Sequence, residues 1–243
     1  MKKKIDAEVS KALKRALTKR GSDASRKKAY AKGRQGGLRD DYVPVPPRGF
    51  VGTRGDAKWV DTAQATYAVD TTGSITHISI VPQGTSVNAR EGKAFRCTSV
   101  NIRGFISANS AATQNDYQCC LVWDYSPQKV LPAITDIFDS VTSLSFPKRE
   151  NNERFKIVKK YKGILLGNSA APTTGDETFH IDDYVKLPKD ANVLCTTGDT
   201  TGAIGDVIQG ALYWVTMGFH APSATLAAVA TMGFRVNFTD KTK

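Results

Sequence analysis

Three stretches of this chain alternate apolar and polar side chains with a period of two. In TMGFRVNF (231–238), Met232, Phe234, Val236 and Phe238 oppose Thr231, Gly233, Arg235 and Asn237. In TFHIDDYVKL (178–187), Phe179, Ile181, Val185 and Leu187 oppose His180, Asp182, Tyr184 and Lys186. In NDYQCCLVWDY (115–125), Tyr117, Cys119, Leu121, Trp123 and Tyr125 oppose Asp116, Gln118, Cys120, Val122 and Asp124. Successive side chains of a strand point to opposite faces, so this spacing predicts half-buried strands of antiparallel sheets. Further strands are expected over 57–69, 74–82, 94–107, 154–162, 191–197 and 206–219. The last is apolar on both faces, which predicts a strand covered on both sides or placed at a subunit contact. LPAITDIFDSV (131–141) predicts one helix, with Ile134, Ile137, Phe138 and Val141 on one face and Pro132 in the first turn. Eight or nine strands and a single helix over about 190 residues fit an all-β fold, a single eight-stranded antiparallel jelly-roll sandwich.

The first 39 residues follow other rules. They hold 14 of the 34 Lys and Arg against three of the 23 acidic residues, leaving 20 of each for the rest. The net charge of +11 therefore belongs to the N-terminal sixth, and the remainder is neutral. Ile5, Val9, Leu13 and Leu17 recur every four positions, a narrow apolar stripe on a basic helix that Gly21 is placed to end. The next segment mixes cations with Gly33, Gly36 and Gly37 and lacks the apolar residues to fold alone. The expected organisation is a disordered or partly helical basic arm (1–41), a Pro/Gly-rich joint (42–56) and a jelly-roll domain (57–243).

An arm this cationic suits a polyanion, because contact with phosphates is independent of base sequence and releases counterions. The candidate nucleic-acid contacts are Lys2, Lys3, Lys4, Lys11, Lys14, Arg15, Lys19, Arg20, Arg26, Lys27, Lys28, Lys32, Arg34 and Arg39. The clusters at 2–4 and 26–28 also have the form of nuclear import signals. A second basic stretch, PKRENNERFKIVKKYKG, would place Arg154, Lys156, Lys160 and Lys162 on one strand face, with Phe155, Ile157 and Tyr161 on the other. Lys156, Lys160 and Lys162 are second-rank candidates for the same polyanion; a solvated strand face or a charged subunit seam explains them equally well.

Catalytic signatures are missing. The chain contains no GxxxxGK[ST], GxSxG or HExxH, and GDTTGAIGD has the wrong glycine spacing for a dinucleotide fingerprint. His77, His180 and His220 are scattered singly. The neighbouring acids Asp182 and Asp183 should point to opposite sides of a strand, and Asp176–Glu177 reads as a solvated loop pair. RGD at Arg54–Asp56 is too short to carry meaning. Cys97, Cys119, Cys120 and Cys195 have no metal-ligand spacing and read as reduced, mostly buried thiols. No metal, cofactor or enzymatic activity is expected. No apolar stretch reaches the ~20 residues of a membrane span, and the N-terminus lacks the apolar core of a secretory signal, so an intracellular protein without membrane insertion is expected.

Residues 58–106, KWVDTAQATYAVDTTGSITHISIVPQGTSVNAREGKAFRCTSVNIRGFI, resemble the opening of capsid proteins from circular, replication-initiator-encoding single-stranded DNA viruses. There a TTGSI strand, a PQGTS…N.R.G loop and a strand ending in IRG follow in the same order. VWDYSPQ (122–128), the segment 136–162 and FRVNFTD (234–240) resemble that group too. Plant-infecting geminivirus-type and satellite-type coats are more distant in style. The resemblance implies a jelly-roll coat subunit that assembles with itself, about sixty copies in the smallest icosahedral shell, around circular single-stranded DNA. It further implies location in the virion and, during assembly, in the host nucleus. Host import machinery and an unidentified receptor would be further partners. Two alternatives remain open on the residues alone: a coat for single-stranded RNA, including satellite viruses, and a non-viral nucleic-acid-binding β-sandwich. A receptor- or sugar-binding jelly roll fits less well, since it has no need of fourteen arm cations.

Overall fold

The computed structural model describes residues 57–109, 111–167, 177–196, 200–223 and 226–240. The chain divides into two units, Met1–Val51 and Gly52–Lys243, and every described residue belongs to the second. The expected arm helix, the joint and the RGD triplet lie outside the described residues.

Ten strands form: β1 (Ala57–Val69), β2 (Ser74–His77), β3 (Ala94–Ser107), β4 (Gln114–Asp124), β5 (Phe155–Leu166), β6 (Thr178–Lys186), β7 (Asn192–Cys195), β8 (Val207–Gln209), β9 (Ala211–Gly218) and β10 (Ala228–Asp240). One sheet runs β1-β10-β3-β7-β8, with β6 also on β3; the other runs β2-β9-β4-β5. All these pairings are antiparallel. β6 pairs with Ser99–Ser107 of β3 and β7 with Ala94–Arg96, so the two occupy one position broken by the Pro188 turn. Setting aside the short extension β8, eight strand positions remain. The chain passes from sheet to sheet as β1, then β2, then β3, then β4 and β5, then β6, then β9, then β10. That is the wrapping of a jelly roll, as expected.

The inner faces meet in an aromatic core. Trp214 on β9 lies 5.3 Å from Phe234 on β10, ring centre to ring centre, and 6.0 Å from Tyr161 on β5. Tyr67 on β1 approaches Phe234 at 6.3 Å. Met232, Phe234, Val236 and Phe238 are all buried, as the alternation of β10 predicted. Phe179 also turns to the core side, opposite Ile106, but at the sheet's end it stays 40% exposed.

Four expectations are corrected. The alternation over 115–125 predicts a half-buried strand, yet Gln118, Cys120, Val122 and Asp124 are buried as fully as their neighbours. The cause is the connection 125–154, which crosses the outer face of the second sheet. Gln118 Nε2 donates to the Ser145 carbonyl (3.5 Å), Ser145 Oγ to Met217 Sδ (3.4 Å), and the Ser143 N–H to the Gly218 carbonyl (3.3 Å). The helix in that connection shrinks to one turn, α1 (Ile134–Ile137). After it the Asp139 N–H bonds the Phe146 carbonyl and the Asp139 carboxylate takes the Phe146 N–H, drawing the chain into an extended loop. Ile134, Ile137 and Phe138 still face inward.

The expected strand 206–219 is cut at Gly210, whose φ of 72° is a left-handed conformation. A Cβ there would collide with the Asn192 carbonyl. The break sends β8 to one sheet and β9 to the other. The strand expected over 74–82 stops at His77, because Ser79 Oγ takes the Leu212 N–H (3.0 Å) that a continued ladder would need.

His77 is buried against Ser79 Oγ (2.8 Å), and burial pushes its imidazole down to about 4. Between its ordinary value near 6.5 and that point, the unfolded chain binds a proton that the folded chain does not. Stability is therefore lost as pH falls through this window, by about 2 kcal/mol between pH ~7.5 and pH ~5 from this group alone. Urea midpoints at the two pH values should drop further for the wild type than for His77→Gln.

Candidate nucleic-acid and subunit interfaces

The fourteen candidate cations from Lys2 to Arg39 lie outside the described residues. The second-rank candidates lie on β5, at the edge of the four-stranded sheet. Here the register corrects the expected grouping. Leu121 pairs with Lys159 but Val122 pairs with Ile157, so Val158 is an extra residue, a β-bulge. Beyond a bulge every side chain changes face. Lys160 and Lys162, opposite Cys120 and Gln118, share the outer face with Phe155 and Ile157. Lys156, opposite Trp123, turns to the other side, with Lys159 and Tyr161. The three candidates do not form one stripe. All are exposed, and none has an ion pair among the described residues. Lysines on an edge strand also discourage unwanted strand addition.

The other cations of this stretch are engaged. Arg154 grips the fully buried carboxylate of Asp124 with two bonds of 3.0 Å, and Asp124 also accepts from the Ser126 N–H (2.9 Å). Arg154 further covers the Phe155 ring at 4.6 Å. Lys159 Nζ lies 2.8 Å from Asp183 Oδ2, which also accepts from Tyr161 OH at 2.9 Å. Lys159, and next the Tyr161 hydroxyl, hold the Asp183 carboxyl below its usual range. Burial, reinforced by Asp183, pushes the Tyr161 hydroxyl up. This cluster ties β5 to β6 and so joins the two sheets at one edge.

Asp182, as expected of a neighbouring strand residue, points away from Asp183. It meets Arg103 on the outer face of the six-stranded sheet at 3.1 Å. On the same face Arg235 holds Asp61 at 2.6 and 2.8 Å and keeps that carboxyl low. Asn237 Nδ2 donates to Ser99 Oγ at 3.0 Å. These charges cancel in pairs, which leaves an open, nearly neutral surface.

Lys58 was not singled out from the sequence. It is buried where the chain enters β1, with Nζ 2.9 Å from Glu91, 2.8 Å from Asp240 and 3.1 Å from the Ala89 carbonyl. A lysine next to a tryptophan in a strand carries no local sign of such a clamp, because its partners lie 33 and 182 positions away in the chain. The four cysteines are buried free thiols, and burial pushes Cys120 up to about 12, against the opposing charge of Lys160.

A model of the Geminivirus coat protein/nuclear export factor BR1 family matches residues 2–243. The capsid protein of Miscanthus streak virus (isolate 91) is 33% identical over 111 residues, covering 38% of this chain and 41% of that protein's length. Among solved structures, that of Desmodium yellow mottle tymovirus matches over 81% of this chain and 95% of its own, with 13% identity and a TM-score of 0.25. The empty head of Turnip yellow mosaic virus matches over 84% and 89%, with 11% identity and a TM-score of 0.30. TM-scores this low carry no weight for the fold, which rests on the strand pairing.

Because Asp124 has no access to water, Arg154→Ala should cost about 3 kcal/mol, the penalty of a buried charge stripped of its partner. Replacing Lys156, Lys160 and Lys162 together by Ala should move stability by no more than about 0.5 kcal/mol. Urea unfolding of the full chain checks both, and a large loss in the triple variant would make these lysines structural.

Proposed function

Since this chain belongs to the geminivirus coat protein/nuclear export factor BR1 family, and is a structural protein and not an enzyme, we propose that it assembles into a closed shell around circular single-stranded DNA. The cations between Lys2 and Arg39 contact the genome, and residues 57–243 form the shell. The observation that carries this reading is the separation of charge: +11 in the first 39 residues, on a body with 20 cations and 20 acids. Neutral bodies pack closely without mutual repulsion, while phosphate neutralises the arms. A shell of sixty copies would bring about 660 net positive charges, sixty times the charge of one chain. Lys156, Lys160 and Lys162 add exposed charge on the body as secondary contacts. The clusters at 2–4 and 26–28 serve nuclear entry.

The family description joins coat proteins with nuclear export factors. A second reading therefore has the chain carry DNA without enclosing it. The relationship to a capsid protein favours the coat.

Deleting residues 1–39 should give particles that still form but lack nucleic acid, with a lowered ratio of absorbance at 260 to 280 nm. Normal DNA content in the truncated particles would remove the arm's assigned role. Full-length chains should yield shells under negative stain whose extracted nucleic acid is degraded by DNase and resists RNase. Solitary chains indifferent to polynucleotides at low salt would overturn the coat reading.

A further inference from the structure

The connection 125–154 inverts its polarity where it crosses the second sheet. Ser143 and Ser145 are buried at 0% and 3%, while Leu144 and Phe146 are exposed at 59% and 72%. Phe146 is nevertheless firmly held. Its N–H donates to Asp139 Oδ1 (2.9 Å) and its carbonyl accepts from the Asp139 N–H (3.0 Å). Pro147 bridges to Phe138, and the Lys148 N–H bonds the Ile137 carbonyl at 2.9 Å. Two large apolar side chains thus stand in water on a backbone fixed on both sides, while hydroxyls fill the interior positions between them. Within one subunit this forgoes apolar burial without return.

Beside this knob lies an open groove of about 450 Å3. Ile137, Pro147, Phe155 and Ile157 give it apolar walls, and Lys148 adds a cation to its lining.

We propose that Leu144 and Phe146 of one subunit dock into this groove on a second copy of the chain, and reciprocally, across a two-fold axis. The inference rests on the reading of the chain as a self-assembling coat and adds the contact that joins two subunits. Knob and groove adjoin on one surface, since Phe146 and the groove wall Pro147 are consecutive residues. One two-fold rotation therefore lays each knob over the other groove, as an isologous contact requires. Charge agrees with this pairing. The exposed Asp139 carboxylate accompanies each knob, and Lys148 lies on the lining of each groove. An aromatic ring on a pinned backbone loses little freedom on docking, which is what an interface hot spot needs.

The test uses full-length chains under conditions where the wild type forms particles. Phe146→Ala should raise the concentration needed for assembly at least about tenfold, by sedimentation velocity and negative stain. Its urea midpoint as a dissociated subunit should match the wild type, because the residue is 72% exposed in its own subunit. A mixture of Phe146→Cys and Asn152→Cys chains, the latter on the groove lining, should give a covalent dimer under mild oxidation of formed particles. The four native thiols are buried and do not compete. Unchanged assembly of Phe146→Ala, absence of the dimer, or a weakened isolated subunit each overturns the contact. Wild-type chains that never assemble overturn the coat reading beneath it.

Discussion

Two strands, β4 and β9, have no solvent side, and the architecture is arranged around that fact. Side by side in the four-stranded sheet, they meet the six-stranded sheet with one face and the connection 125–154 with the other. Polar groups on them depend on partners inside the protein, and several side chains find one. Asp124 is held by Arg154, Thr216 Oγ1 donates to the Ala68 carbonyl (2.7 Å), and Gln118 reaches the Ser145 carbonyl. The result is a double-covered plate from which the other strands and loops hang. The large aromatic residues Trp123, Trp214 and Tyr213 are all fully buried in it.

Over the body, charge is arranged in pairs. Lys58, Arg103, Arg154, Lys159 and Arg235 are each bound to a carboxylate. Some of these pairs do structural work at depth, as Arg154 does for Asp124. Others, such as Arg235 with Asp61, lie in water and contribute little to stability. What they share is electrical neutrality. The net positive charge belongs to residues 1–39, and under the proposed function it meets phosphate there.

The connection 125–154 then has two duties. Its inner side closes the plate with α1, Phe138 and the two serines. Its outer side offers Leu144 and Phe146 beside a groove with apolar walls. Under the proposed assembly, residues that close one subunit are continuous with residues that meet the next.

The fold class was legible in the residues because period-two alternation is a local property. It located β1, β3, β6 and β10 closely and placed the core face of β10 correctly. The separation of arm charge from a neutral body was legible for the same reason, since charge is counted without knowing where the chain goes. Tertiary structure decided the rest. The bulge at Val158 moved Lys156 away from Lys160 and Lys162, and nothing in FKIVKKYK marks where an extra residue will be accommodated against β4. The outer coverage of Gln118 and Cys120, the one-turn helix and the clamp on Lys58 all depend on partners distant in the chain. Local pattern fixes which residues alternate; only the packing of remote segments determines which of the two faces meets water.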